Sequence, residues 1–134
     1  MKSMLHLDDL AAPVRYESTL NVFSRCSPGV TFTIFRMSFG RRMELVRRIR
    51  EISGRLKFLE SSSEFEEKVE ANLLAQQIEE LYLRWGLAGI EGLTIDGELA
   101  NTDLLIEKGP EELSKEISIA VKAQCGLTEQ ERKN

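Results

Sequence analysis

Two apolar stripes at helical spacing most constrain what this chain can fold into. Met43, Val46, Ile49, Ile52, Leu56 and Leu59 recur at intervals of three and four. After Ser61-Ser62-Ser63 the pattern resumes with Phe65, Val69, Leu73, Leu74, Ile78, Leu81, Tyr82 and Trp85. Residues so spaced share one face of a helix. Two stripes joined by so short a link predict an antiparallel helical hairpin, over about residues 41–59 and 64–85. Its seam is expected to set Val46, Ile49, Ile52 and Leu56 against Phe65, Val69, Leu73 and Ile78. Ser38 suits the N-cap of the first helix, and Gly54 marks a bend or end within it. Ser63 with Glu66 reads as a capping box opening the second helix, and Gly86 as its left-handed C-terminal cap.

Outside the stripes the period changes. Val14, Tyr16, Leu20 and Val22 alternate, Ser27-Pro28-Gly29 is turn chemistry, and Val30, Phe32 and Ile34 alternate again. These two runs predict an antiparallel β-hairpin. Ile90–Ile95 reads as a short strand, and Asp96-Gly97 as a tight turn with positive φ at both residues. Thr102 is expected to cap a short helix reaching Ile106, which Gly109 ends. Pro110 suits the start of a last helix whose inner face is Leu113, Ile117, Ala120 and Val121 and which Gly126 closes. Residues 1–12 show no period and read as a loose arm, and residues 127–134, polar from Thr128 onward, as a mobile tail. The expected architecture is one α+β domain over 13–126: an N-terminal β-hairpin, an antiparallel helical hairpin, a short β segment and a C-terminal helix.

A chain of 134 residues buries enough surface to fold without a metal or disulfide. Cys26 and Cys125 are therefore expected to be reduced thiols in a cytosolic protein. The first ten residues lack the apolar core of a signal peptide, and no apolar run approaches a membrane span. The single histidine, His6, lies in the loose arm, so no nucleophile–base pair stands out and no zinc site can be assembled. Gly86, Gly89 and Gly92 lack the spacing of a dinucleotide fingerprint. The expectation is a protein that is not an enzyme and takes no metal or cofactor.

Charge is unevenly divided. Arg41 to Lys57 carries seven basic against two acidic residues, net +5, leaving −9 on the rest of a chain whose total is −4. The plain reading pairs the basic helix with the Glu-rich helix beside it. An Arg-lined nucleic-acid surface is disfavoured by the acidic total and by the absence of aromatic residues among the arginines. Bulky apolar groups do accompany the arginines nearby. Phe35, Arg36, Phe39, Arg41, Arg42, Tyr82 and Trp85 form the candidate partner-binding set, an apolar patch with a basic rim. Trp85 and Tyr82 suit a core position equally well.

The run Val30–Arg42 leading into a helix, Trp85-Gly86-Leu87 with Ile90–Leu93 and the Ile95-Asp96-Gly97 turn, Gly109–Leu113, and the closing Gly126–Asn134 carry a resemblance. In style and order they resemble the tail assembly chaperones of long-tailed bacteriophages, over most of the chain from residue 30. The resemblance implies a helper in the cytoplasm of the bacterial host cell. It would bind a helical tape-measure-like protein, and in some cases a tail-tube subunit, until the tail tube assembles. Homo-oligomerisation is open, and no membrane is involved. The alternatives are a structural tail or head-to-tail component of the virion, and a small nucleic-acid-binding regulator using the Arg-rich helix.

Overall fold

The structure, a computed structural model, describes residues 12–61 and 63–126. The expected arm (to residue 11, with His6) and the expected tail at 127–134 lie outside the described residues.

The β-hairpin forms from β1 (Thr19–Phe23) and β2 (Thr31–Phe35), antiparallel with Leu20 opposite Ile34 and Val22 opposite Phe32. Val14 and Tyr16, expected in the first strand, are exposed chain instead. The ladder ends where the Arg36 N–H donates to the Ser18 carbonyl, because the partner strand turns into the Ser38 cap and offers nothing further. Val30, just before β2, and Phe32 and Ile34 within it are all buried, as their alternation requires.

Ser38 caps α1 (Phe39–Glu60), its hydroxyl accepting from the Arg41 N–H at 3.2 Å. The helix runs unbroken through Gly54, so that glycine neither bends nor ends it. α2 (Phe65–Gly86) returns alongside. Its N-cap is Glu64, with no side-chain capping bond, so the Ser63–Glu66 capping box does not form. The expected seam is also displaced. The buried positions are Leu45, Ile49 and Ser53 on α1, and Ala71, Leu74, Tyr82 and Leu83 on α2, while Phe65, Val69 and Leu73 face solvent. The apolar arc on α2 is wider than the contact that covers it, and periodicity does not say which part is covered.

Gly86 takes no left-handed conformation; the chain passes directly into β3 (Leu87–Glu91). A Cβ at Gly86 would overlap both methyls of Val121, so the glycine admits the last helix. β3 pairs antiparallel with β2, Phe32 opposite Ile90, giving a three-stranded sheet ordered β1-β2-β3. The expected strand over Ile90–Ile95 is thus two pieces. Gly92 breaks it at φ +84, where a Cβ would collide with the Gly29 carbonyl. β4 (Thr94–Ile95) and β5 (Glu98–Leu99) then flank the Asp96-Gly97 turn, both of whose residues have positive φ. α3 (Thr102–Lys108) is capped by the Asn101 side chain, which accepts from the Leu104 N–H at 2.8 Å, rather than by Thr102. α4 (Glu111–Cys125) ends in a left-handed Gly126, and Pro110 occupies its N-cap.

The core is one cluster. Phe32 and Ile34 of the sheet, Leu45 and Ile49 of α1, Tyr82 of α2, Leu105 of α3, and Leu113, Ile117 and Val121 of α4 meet in it. Each fully buried aliphatic side chain there contributes about 1.5–3 kcal/mol before entropy is counted. α4 lies against both α2 and β2. A second tie joins α4 to the β1–β2 turn. The Glu116 carboxylate accepts from the Ser24 hydroxyl and the Arg25 N–H, each at 2.7 Å, and from Cys26 Sγ at 3.2 Å. Burial pushes the Glu116 carboxyl upward, but those hydrogen bonds hold it on balance below its ordinary value.

Candidate protein-binding surface

The seven residues of the expected set separate into three kinds of place. Phe35, Arg41 and Trp85 come together. The Arg41 guanidinium carbon lies 4.4 Å from the Phe35 ring centre and 4.7 Å from that of Trp85, and Arg48 adds a second cation at 5.2 Å from Trp85. Arg41 also donates to the Trp85 carbonyl. The Arg41 Nε and the Trp85 indole N–H meet no acceptor among the described residues, so ring faces are the main counter-surface of this guanidinium. Burial lowers the Arg41 pKa, opposed by charge interaction with Cys125. This stack fastens the start of α1 to the end of α2 and is a structural joint.

Tyr82 and Arg42 are also engaged internally. Tyr82 is 0% exposed, so it leaves the candidate surface: its ring sits in the core cluster and Lys122 lies 5.1 Å over it. Arg42 donates to the Cys125 carbonyl, tying α1 to the end of α4. Arg36 is exposed, 5.9 Å from the Tyr16 ring. Phe39 remains as the bulky group free for a partner, 81% exposed at the first residue of α1.

Phe39 begins a line that the expected set missed. Phe39, Met43 and Val46 follow at four and three residues along α1, and a shallow groove there is lined by Arg42, Met43, Val46, Arg47, Arg50 and Glu51. On α2, Phe65, Val69 and Leu73 form another exposed stripe at intervals of four. Helix lengths explain it. α4 has 15 residues against 22 in α2, about 22 Å against 33 Å. It touches α2 through Glu79, Leu83 and Gly86, leaving the first turns bare. The sequence carried this signal: the second stripe holds more apolar positions than one seam can cover.

The expected pairing of the basic and acidic helices is largely absent. Among the described residues one ion pair crosses between them, Arg55–Glu70 at 3.1 Å. Arg47 and Arg48 bind Glu44 on their own helix, Arg84 binds Glu80 and Asp103, and Glu79 binds Lys122 of α4. Arg50, Lys57 and Glu66 make no ion pair among the described residues. The Arg41, Arg48, Arg55 row is spent on Trp85, Glu44 and Glu70, so it presents no free phosphate track.

Cys26 is exposed and Cys125 buried, and neither is in a disulfide. No group of three or more His, Cys, Asp or Glu among the described residues is placed to hold a metal. No described helix is long and apolar enough to cross a membrane. No family model, curated protein or solved structure matches the chain.

Proposed function

We propose that this protein works by binding another protein, covering an apolar helical segment with the groove along the outer face of α1. The observation that carries the reading is the line of exposed Phe39, exposed Met43 and half-buried Val46, with Arg42, Arg47 and Arg50 at its edge. An amphipathic helix laid in such a groove buries its apolar side on the three side chains, while acidic residues on its flank meet the arginines. Aromatic anchors carry most of the energy of such contacts, and rim charges set orientation and association rate. The sequence resemblance supplies the biological setting: a phage tail assembly chaperone, holding a tape-measure-like protein soluble in the host cytoplasm until the tube forms. A tape measure exposes long apolar helical stripes, which is the surface this groove complements.

Co-expression tests it. A tape-measure fragment that is insoluble alone is expected to become soluble with this protein. Phe39→Asp is expected to abolish the effect while leaving the far-UV circular dichroism unchanged, since Phe39 contributes little to the core. A fragment equally insoluble in both cases overturns the chaperone reading.

A further inference from the structure

We infer that the open edge of the sheet, β1, is an interface with a second copy of this chain. The two β1 strands pair antiparallel about a two-fold axis at Asn21 and join two three-stranded sheets into one. The order β1-β2-β3 leaves two edges. β3 has α3 against it, whereas the main contact of β1 in the fold is β2. At the two ends of the β1–β2 ladder the Ser24 N–H donates to the Val30 carbonyl and the Arg36 N–H to the Ser18 carbonyl. Antiparallel strands bond at alternate residues, so the even-numbered residues of β1 turn their N–H and C=O groups toward β2. Thr19, Asn21 and Phe23 turn theirs outward, and these backbone groups meet no partner among the described residues. The strand Thr-Leu-Asn-Val-Phe carries no charge and no proline, the devices that keep an edge strand single.

Pairing centred on Asn21 sets Thr19 opposite Phe23 of the second copy and Asn21 opposite its own counterpart. All three are outward-bonding residues, so every free N–H and C=O along both edges finds a partner. On the inner face, Leu20 meets Val22 of the second copy. Both are half-buried at the margin of the core, and the pairing carries that apolar layer across the axis. On the outer face Phe23, 82% exposed in the single chain, comes beside Thr19 of the second copy, whose own neighbour across the ladder is Phe35.

Charge selects a second copy as the occupant. Glu17 and Arg25 lie two residues beyond the two ends of β1, both exposed. Neither makes an ion pair among the described residues. The register that sets Thr19 opposite Phe23 also sets Glu17 of each chain opposite Arg25 of the other, so one symmetry operation matches the charges twice. A slip of two residues, the smallest that keeps the apolar faces together, shortens the ladder and moves each charge about 7 Å from its counterpart. The edge is thus its own complement in hydrogen bonds, apolar face and charge.

The experiment is sedimentation and amide exchange on the full chain. Five residues a side make a small, reversible interface. The mass is expected to rise from 15.2 kDa toward twice that value between about 10 μM and about 1 mM. Over the same range the amides of Thr19, Asn21 and Phe23 are expected to become slow to exchange, while those of Leu20 and Val22 are slow throughout. Asn21→Pro removes an N–H that β2 does not use, together with the exposed side-chain bond from Thr33. It is expected to give a monomer with unchanged circular dichroism. Glu17→Arg, away from the ladder, is expected to weaken association about fivefold or more, and Glu17→Arg with Arg25→Glu to restore it to within about threefold. A chain monomeric at about 1 mM overturns the proposal. So does a dimer in which the odd-numbered β1 amides exchange as fast as at high dilution, an Asn21→Pro chain that dimerises undiminished, or a double reversal no better than the single one.

Discussion

Gly86 is where the helical hairpin meets the last helix, and its replacement by alanine tests the packing that positions the whole outer surface. The added Cβ would overlap both Val121 methyls. Val121 is β-branched, 1% exposed and inside the core cluster, so it has few rotamers to retreat into. Overpacking of this kind costs about 1–3 kcal/mol. Replacing glycine in a helix returns up to about 1 kcal/mol, less at the final residue of a helix, where Gly86 stands. The expected net loss for Gly86→Ala is about 1–2 kcal/mol. For a domain of this size that lowers the melting temperature by roughly 3–5 °C per kcal/mol. Val121→Ala alone removes two methyls and leaves a cavity, costing about 2–3 kcal/mol. In the double variant the alanine methyl enters the space left by the valine methyls. The pair is therefore expected to be less destabilised than the two single losses together, by about 1 kcal/mol. Urea and thermal melts followed by circular dichroism read all four corners of the cycle. A Gly86→Ala protein as stable as the parent, or strict additivity in the double variant, would refute the close approach of α2 and α4 at this point.

Ile49→Ala is expected to cost about 2–5 kcal/mol because Ile49 is fully buried, whereas Leu73→Ala, on the bare stripe, is expected to stay within about 0.5 kcal/mol; equal losses in melts would show that the seam is misplaced. Glu116 titrates below its ordinary value in the folded chain, so its contribution is present above the unfolded carboxylate pKa, about 4.3, and is lost as pH falls through the lower folded value. Glu116→Gln is accordingly expected to destabilise near neutral pH and to flatten the acid limb below about pH 4.3, and parallel acid limbs for parent and variant would count against the Ser24–Arg25–Cys26 tie. A thiol reagent is expected to label Cys26 quickly in the native chain and Cys125 only in denaturant; two fast thiols would contradict the burial of Cys125. Arg41→Met is expected to shift the emission of Trp85, the single tryptophan, and to cost about 0.5–2 kcal/mol, and an unchanged spectrum would argue against the stack.

Alternation along Val30, Phe32 and Ile34, the paired stripes around the serine link, and the Asp96-Gly97 turn each determine their own local structure from the sequence. Residue spacing sets which side chains share a face, and positive φ restricts which residues can turn a chain. The α+β class and the order of elements followed from those features. Capping was less legible: Glu64 and Asn101 took the positions that Ser63 and Thr102 suited equally well, because several polar residues near a helix start can compete for one N-cap. The joining of β3 to β2 was invisible, since it depends on Gly92 approaching Gly29, more than sixty residues earlier. The surface divided in the same way. Exposure of Phe39, at the first residue of its helix, fits the sequence expectation. Burial of Tyr82 and exposure of Phe65, Val69 and Leu73 depended on where a 15-residue helix stops along a 22-residue one. Helical periodicity marks every apolar position that a neighbour could cover. Only the tertiary structure, by bringing α4 over the C-terminal half of α2 and leaving the outer side of its first turns uncovered, decided which of them are core and which stay exposed.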